Sequence, residues 1–204
     1  MLEHLAVIFS AATGPLVAKG KGVDLFGVLV LGIVAAVGGG TLRDVLLNEP
    51  VFWIQDERFL LSAVLAAGVA FYMAPAIVRH ERWFLIPDAL GLAFVTMLGT
   101  AKADRLGHTA GICLIMGVMT GVAGGMVRDV LLGEVPLIFR PNIHLYATAA
   151  AAGSCAYLLV SRLGPLEPGT AMLLGACVVL VLRFAAIRWR WHLPVFMDDP
   201  PAHK

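Results

Sequence analysis

The stretch Gly38-Gly39-Gly40-Thr41-Leu42-Arg43-Asp44-Val45-Leu46-Leu47 is echoed 85 residues later by Gly124-Gly125-Met126-Val127-Arg128-Asp129-Val130-Leu131-Leu132. From Gly39 and Gly124 onward, seven of nine positions are identical. The same offset pairs Gly14 with Gly99, Gly32 with Gly117, Glu49 with Glu134, Phe9 with Phe94 and Tyr72 with Tyr157. It also pairs Ala66-Ala67-Gly68 with Ala151-Ala152-Gly153, and Glu3 with Asp88. Matches spread this widely mark an internal duplication rather than low complexity.

The surrounding composition sets the solvent for this duplication. The chain has 204 residues, 59% of them hydrophobic and 14% charged. Its mean hydropathy is +0.86. A soluble domain carries about a quarter charged residues, so a soluble enzyme, a disordered chain and a basic nucleic-acid surface are all disfavoured. A net charge of +1 supplies no bulk field for anionic partners. The expected class is an all-α, polytopic membrane protein.

A spanning helix needs about 20 mostly apolar residues. Seven runs qualify, near 3–18, 24–47, 59–78, 85–102, 109–132, 143–161 and 169–187. The first contains Gly14-Pro15 and is expected to bend or end early. Trp53, Trp83, Trp189 and Trp191 lie near span ends, where interfacial aromatics belong. The tail beyond Pro194 is polar. Basic loop residues divide eight (Lys19, Lys21, Arg79, Arg82, Arg140, Arg188, Arg190, Lys204) against four (Arg58, Lys102, Arg105, Arg162). The excess places the N-terminus outside and the C-terminus in the cytoplasm.

The offset divides the chain into a three-helix repeat (1–84), a second repeat (85–165), a seventh helix (166–190) and a tail (191–204). Three is odd, so the second repeat enters the membrane inverted. Inverted repeats with broken helices at matching positions point to a transport pathway between the halves.

Within the second and fifth spans, Gly38, Gly39 and Gly40, and Gly124 and Gly125 after Ala123, are expected to loosen the helix beside that pathway. Small residues spaced by four (Gly32, Ala36 and Gly40; Gly117, Gly121 and Gly125) form a face for close packing. Arg43-Asp44 and Arg128-Asp129 lie inside these spans, where a charge at the helix centre costs about 2.5–3.5 kcal/mol. Neighbours on a helix point about 100° apart, so each Arg is expected to pair with another helix rather than with its own Asp. Two readings stay open: ion pairs that lock helices, or arginines that gate a passage from opposite mouths.

Smaller features follow. Asp88 after Pro87 reads as a helix N-cap, with Glu3 as its weaker twin. Pro50 and Pro136 are expected to close the broken helices. Lys19 and Lys102 read as snorkelling to the interface. Tyr146 opens the sixth span, either as an interfacial tyrosine or with its hydroxyl on a buried polar partner. Cys113, Cys155 and Cys177 read as small buried hydrophobes. The histidines show no transition-metal spacing, and no constellation supports covalent or acid–base catalysis, so no catalytic residue and no enzyme activity are expected.

At Gly38-Gly39-Gly40-x-x-Arg43-Asp44 and Gly124-Gly125-x-x-Arg128-Asp129 the chain resembles the prokaryotic trimeric intracellular cation (TRIC) channels. Phe26-Gly27-Val28-Leu29-Val30-Leu31-Gly32, Glu134-Val135-Pro136, Leu145-Tyr146-Ala147-Thr148-Ala149 and Ala185-Ala186-Ile187-Arg188-Trp189 fit that pattern. Bacterial relatives also carry a glycine-transporter label. The resemblance covers nearly the whole chain. It implies seven helices, as two inverted repeats plus one, in a homotrimer with one pore inside each protomer. The implied pore is lined by the second and fifth helices, kinked at Gly38, Gly39, Gly40, Gly124 and Gly125. Arg43, Asp44, Arg128, Asp129 and Tyr146 form its charged network. The implied activity is passive conduction of monovalent cations, chiefly potassium, across the bacterial inner membrane. Potassium is the permeant species, no cofactor is implied, and there is room for a bound lipid. The chain departs from the pattern at Ala123, at Ala12-Thr13-Gly14 and at Met97-Leu98-Gly99. The alternatives are a secondary transporter of a small zwitterion such as glycine, and a structural trimer without flux.

Overall fold

The structure is a computed structural model describing residues 2–77, 84–140, 145–164 and 167–191. Arg79, Arg82, Trp83, Lys204 and the tail beyond Pro194 lie outside the described residues. In chain order the elements are α1 (Leu2–Ala18), α2 (Leu25–Leu46), the one-turn α3 (Phe52–Gln55), α4 (Arg58–Ile77), α5 (Leu85–Arg105) and α6 (Ala110–Leu131). A 3-10 turn (Leu137–Phe139), α7 (Tyr146–Leu163) and α8 (Pro168–Trp189) complete them. A helix occupies each of the seven expected stretches. Of these, α2, α5, α6 and α8 are long and apolar enough to cross a membrane, while Leu2–Ala18 and Arg58–Ala74 are shorter apolar helices.

Local chemistry explains the helix ends. Asp24 caps α2 by accepting the Gly27 N–H at 2.8 Å. At the other end Asn48 takes a left-handed conformation (φ 53). Its N–H reaches the Val45 carbonyl at 3.2 Å and the Glu49 N–H reaches the Asp44 carbonyl at 2.9 Å. α6 ends identically at Gly133 (φ 69), with Gly133 N–H on Val130 and Glu134 N–H on Asp129. Both are Schellman closures, which tolerate glycine and asparagine because left-handed backbone penalises larger side chains. So Asn48 and Gly133 stop these helices, and Pro50 and Pro136 only follow the stop.

Two further expectations are corrected. α1 does not end at Gly14-Pro15 but continues to Ala18. Proline removes one helical donor, but Gly14 backs onto the Gly32 backbone of α2, and this packing holds the last turn in line. Nor are α2 and α6 broken at their glycine clusters: each runs as 22 continuous helical residues. Gly39 and Gly124 serve proximity instead, each backing onto a carbonyl of the other helix.

α1, α2, α5 and α6 form the centre of the bundle. α4 packs on α1 and α2, and α7 packs on α5 and α6. α8 lies against α5 and α7. The interior is filled with small side chains, among them Ala11, Ala63, Ala67, Ala89, Ala93 and Ala150, all fully buried. Small residues are what membrane helices use to approach closely. Large apolar side chains such as Phe26, Leu65, Val69, Leu159 and Val181 point outward. Cys113 is buried as expected, but Cys155 and Cys177 are exposed. On an outward apolar face, a small hydrophobe meets lipid at no cost.

At the α6 end, the Lys21 Nζ donates to Glu134 Oε1 at 2.6 Å and the Arg140 Nη2 donates to Glu134 Oε2 at 3.3 Å. This ties the α1–α2 loop to the segment after α6. The hydrogen bond and charge of Lys21 hold the Glu134 carboxyl below its ordinary range. A depressed carboxyl stabilises the fold above its unfolded-state pKa, and that contribution is lost as pH falls through the lowered folded value. Glu134→Gln is therefore expected to lower the thermal midpoint slightly at neutral pH. The gap should close in acid, as read by thermal unfolding across a pH series. A gap unchanged from neutral pH into strong acid would exclude a charge contribution from this pair.

Candidate functional site: a charged passage between four helices

α2 and α6 cross at their glycines. A Cβ built on Gly39 would overlap the Thr120 carbonyl oxygen, and one built on Gly124 would overlap the Ala35 carbonyl oxygen. These contacts are exchanged by the offset of 85, since 35 maps to 120 and 39 maps to 124. Ala35 meets Gly124 while Gly39 meets Thr120, so α2 and α6 run antiparallel. Gly38 lies at the same crossing, where a Cβ would come within 3.6 Å of the Gly124 Cα. Gly40 instead faces the Phe52 ring, and Gly125 faces Arg128 and Tyr146. The glycine motif is thus chiefly a contact surface that lets the backbones touch.

Because the helices are antiparallel, their C-terminal Arg-Asp pairs lie on opposite sides of the crossing. Arg43 Nε donates to Asp44 Oδ1 at 2.7 Å, and Arg128 Nε and Nη2 donate to Asp129 Oδ1 at 2.8 and 2.7 Å. Each Arg therefore does pair with its own Asp, contrary to the expectation from helix angles. The arginine side chain is long enough to curl back across that angle. The second carboxylate oxygen has its own task. Asp44 Oδ2 accepts the Phe52 N–H at 3.0 Å, and Asp129 Oδ2 accepts the Leu137 N–H at 2.9 Å. Phe52 and Leu137 open the short turns after α2 and α6 and again stand 85 apart. Each aspartate thus fixes the chain that leaves its helix.

Around this shared plan the two sites differ. Lys102 Nζ of α5 donates to Asp44 Oδ1 at 2.9 Å and lies 3.9 Å from Glu49, so it is a network member and not a snorkelling residue. The Arg43 guanidinium lies over the Phe52 ring, 5.8 Å from its centre. At the other site Arg128 Nη1 donates to the Thr13 hydroxyl of α1 at 2.6 Å and lies 3.9 Å from Asp88 Oδ1 of α5. Tyr146 is buried, and its hydroxyl donates to Asp88 Oδ1 at 3.3 Å. Of the two readings of Tyr146, the structure selects the buried one. Asp88 is not an N-cap: it sits within the first turn of α5, buried, facing these partners. Arg183 of α8 approaches Asp88 Oδ2 at 3.6 Å.

Two small cavities lie along the four central helices. One, about 40 Å³, is lined by Glu3, Gly40, Arg43, Phe52 and neighbours. The other, about 20 Å³, is lined by Ser10, Thr13, Asp88, Thr120, Arg128 and Tyr146 among others. Ala36 and Val95 belong to both linings, so they separate the two. A space of about 10–15 Å³ is the least that holds a water, so each cavity has room for only a few waters. Among the described residues no cluster of His, Cys, Asp and Glu suited to a metal ion occurs.

Sequence reasoning misses the role of four members of this site: Thr13, Asp88, Lys102 and Arg183. Three of them carry a signal. Asp88 and Glu3 are acidic at matching repeat positions, and Lys102 and Arg183 are charges inside apolar helices, which are costly unless paired. The partner could not be named without the packing.

Comparison with known proteins bears on this arrangement. A family model described as "Glycine transporter" matches residues 1–75 and 85–162. An inner membrane protein of Escherichia coli, YadS of the UPF0126 group, is 42% identical over 97% of this chain and 96% of its own length. YvgT, a UPF0126 membrane protein of Bacillus subtilis, is 33% identical over 95% of this chain and 94% of its own. Among solved structures, a TRIC channel orthologue from Rhodobacter sphaeroides superposes with a TM-score of 0.86 at 33% identity, covering 93% of this chain and 96% of that one. A second TRIC cation channel structure gives 0.87 at 31% identity, covering 98% and 97%.

Proposed function

The chain belongs to the bacterial TRIC-type family, the one the glycine-transporter model and the UPF0126 group also describe, and from that premise we propose that it is a cation channel of the bacterial inner membrane. Its permeant ion is a monovalent cation, chiefly potassium. Seven helices span the membrane as two inverted three-helix repeats, 1–84 and 85–165, plus the helix of 166–190. The N-terminus lies outside and the tail of 191–204 in the cytoplasm. Three copies assemble, each with its own pathway between α1, α2, α5 and α6, and membrane lipid is the only other partner. Gly38, Gly39 and Gly124 bring α2 and α6 together along the pathway, and Gly40 and Gly125 line it. Arg43, Asp44, Arg128, Asp129 and Tyr146 control it.

One observation supports this reading most directly: near-full-length superposition on TRIC channels, with two small internal cavities each lined by an arginine of the doubled motif. The electrostatics are compatible with cations. Each arginine is neutralised by its own aspartate at under 3 Å, so the local field is not that of a free guanidinium. Glu3 and Asp88 add negative charge on the two cavity walls. The cavity beside Arg128 is of water size, which suits an ion stripped of most of its hydration better than an amino acid.

Purified protein in planar bilayers under a potassium chloride gradient should give unitary currents whose reversal potential reports cation selectivity. Arg43→Ala and Arg128→Ala should each raise open probability by removing a bulky cation from the passage wall. Unchanged gating in both variants would reduce the pairs to helix locks. Saturable uptake of labelled glycine into vesicles, without unitary currents, would replace the channel by the transporter reading.

A further inference from the structure

Arg183 has no counterpart in the duplicated halves. It comes from α8, which lies outside the repeat, and it sits further inside that helix than Arg188, the other charge of α8. Its side chain is fully buried. It does not line the cavity, but it touches two groups that do. Its Nη2 lies 3.6 Å from Asp88 Oδ2, and its guanidinium carbon lies 4.7 Å from the centre of the Tyr146 ring. Tyr146 in turn donates to Asp88 Oδ1.

Asp88 is therefore shared. On the cavity side it faces Arg128 Nη1 at 3.9 Å, and on the outer side Arg183 at 3.6 Å. Arg128 is itself divided between Asp129, Thr13 and Asp88. In a low-dielectric interior a carboxylate facing one cation attracts it more strongly than a carboxylate divided between two. Arg183 thus weakens the hold of Asp88 on Arg128. Without it, Asp88 would draw the Arg128 guanidinium further across the passage from α6 toward α5.

We propose that Arg183 is a positioning residue of the pathway: by engaging Asp88 and Tyr146 from behind, it keeps Arg128 free to leave the passage. α8 thereby tunes the opening of one of the two charged sites, while at the Arg43 site the added cation, Lys102, pairs directly with Asp44. This inference rests on the channel reading above.

The test is single-channel recording of the full-length protein and four variants in potassium chloride. Unitary currents from the unsubstituted chain come first, and their absence overturns the channel reading and this inference together. Given currents, Arg183→Gln should lower open probability by roughly 2- to 30-fold, the range of coupled networks, at unchanged unitary conductance. Arg183→Lys should stay closer to the unsubstituted channel. Asp88→Asn should raise open probability. The double variant Arg183→Gln/Asp88→Asn, which removes a whole ion pair, should match Asp88→Asn because the competition no longer exists. An unchanged or raised open probability in Arg183→Gln, or the same shift in both backgrounds, overturns the proposal. Should Arg183→Gln alone fail to fold, the comparison of the double variant with Asp88→Asn decides: equality supports the proposal and a further loss overturns it.

Discussion

Replacing Asp129 with leucine is expected to cost about 3–5 kcal/mol, the range for removing one partner of a buried ion pair. Asp129 is fully buried and accepts from Arg128 twice and from the Leu137 N–H once. Its loss leaves a buried guanidinium without its main acceptor, and frees the turn that follows α6. Arg128→Met combined with Asp129→Leu should recover a large part of that loss, because no uncompensated charge remains. Unfolding of purified protein in mixed micelles, by denaturant or heat, measures both. If the single and the double variant unfold alike, the charge pair is not what the stability depends on. The same experiment at Asp44 should give a smaller contrast, since Lys102 and Arg43 there share the carboxylate and Lys102 is partly exposed.

The second large effect is steric. Gly124→Ala places a methyl group against the Ala35 carbonyl oxygen, and Gly39→Ala places one against the Thr120 carbonyl oxygen. Both obstacles are backbone atoms in helices and cannot rotate away. Overpacking of this kind costs about 1–3 kcal/mol, partly offset by the better helix propensity of alanine, about 1 kcal/mol. The two variants should be alike in size, because the offset exchanges the contacts. Gly68→Ala serves as a control, since a Cβ there meets nothing within 4 Å. A Gly124→Ala protein as stable as Gly68→Ala would mean that α2 and α6 do not touch at that depth.

The elements most legible in the sequence were those governed by short-range rules. Apolar runs between polar breaks located α1, α2 and α4 to α8 within a few residues, because a membrane solvent imposes length and apolarity on any spanning helix. The duplication was equally plain, and it reappears in structure as α2 and α6 of identical length, each followed by a short turn 85 positions apart. What failed were inferences about how a residue's neighbours would act. Pro15 did not break its helix, because tertiary packing outweighs one missing donor. The glycine clusters did not break theirs, because a glycine's missing side chain was needed for approach rather than for backbone freedom.

Sequence by itself determined the membrane class, the helix limits, the doubled Arg-Asp motif and hence the family. These rest on composition and on order along the chain. Only the tertiary structure decided which charge faces which. Asp88 sits 40 positions from Arg128, Lys102 58 from Asp44, and Arg183 95 from Asp88, yet each pair meets within 4 Å. Charge pairing in a bundle depends on helix rotation and depth, quantities set by the packing of small residues across several interfaces at once. No local pattern encodes them, so the network that distinguishes the two halves of this protein had to be read from the fold.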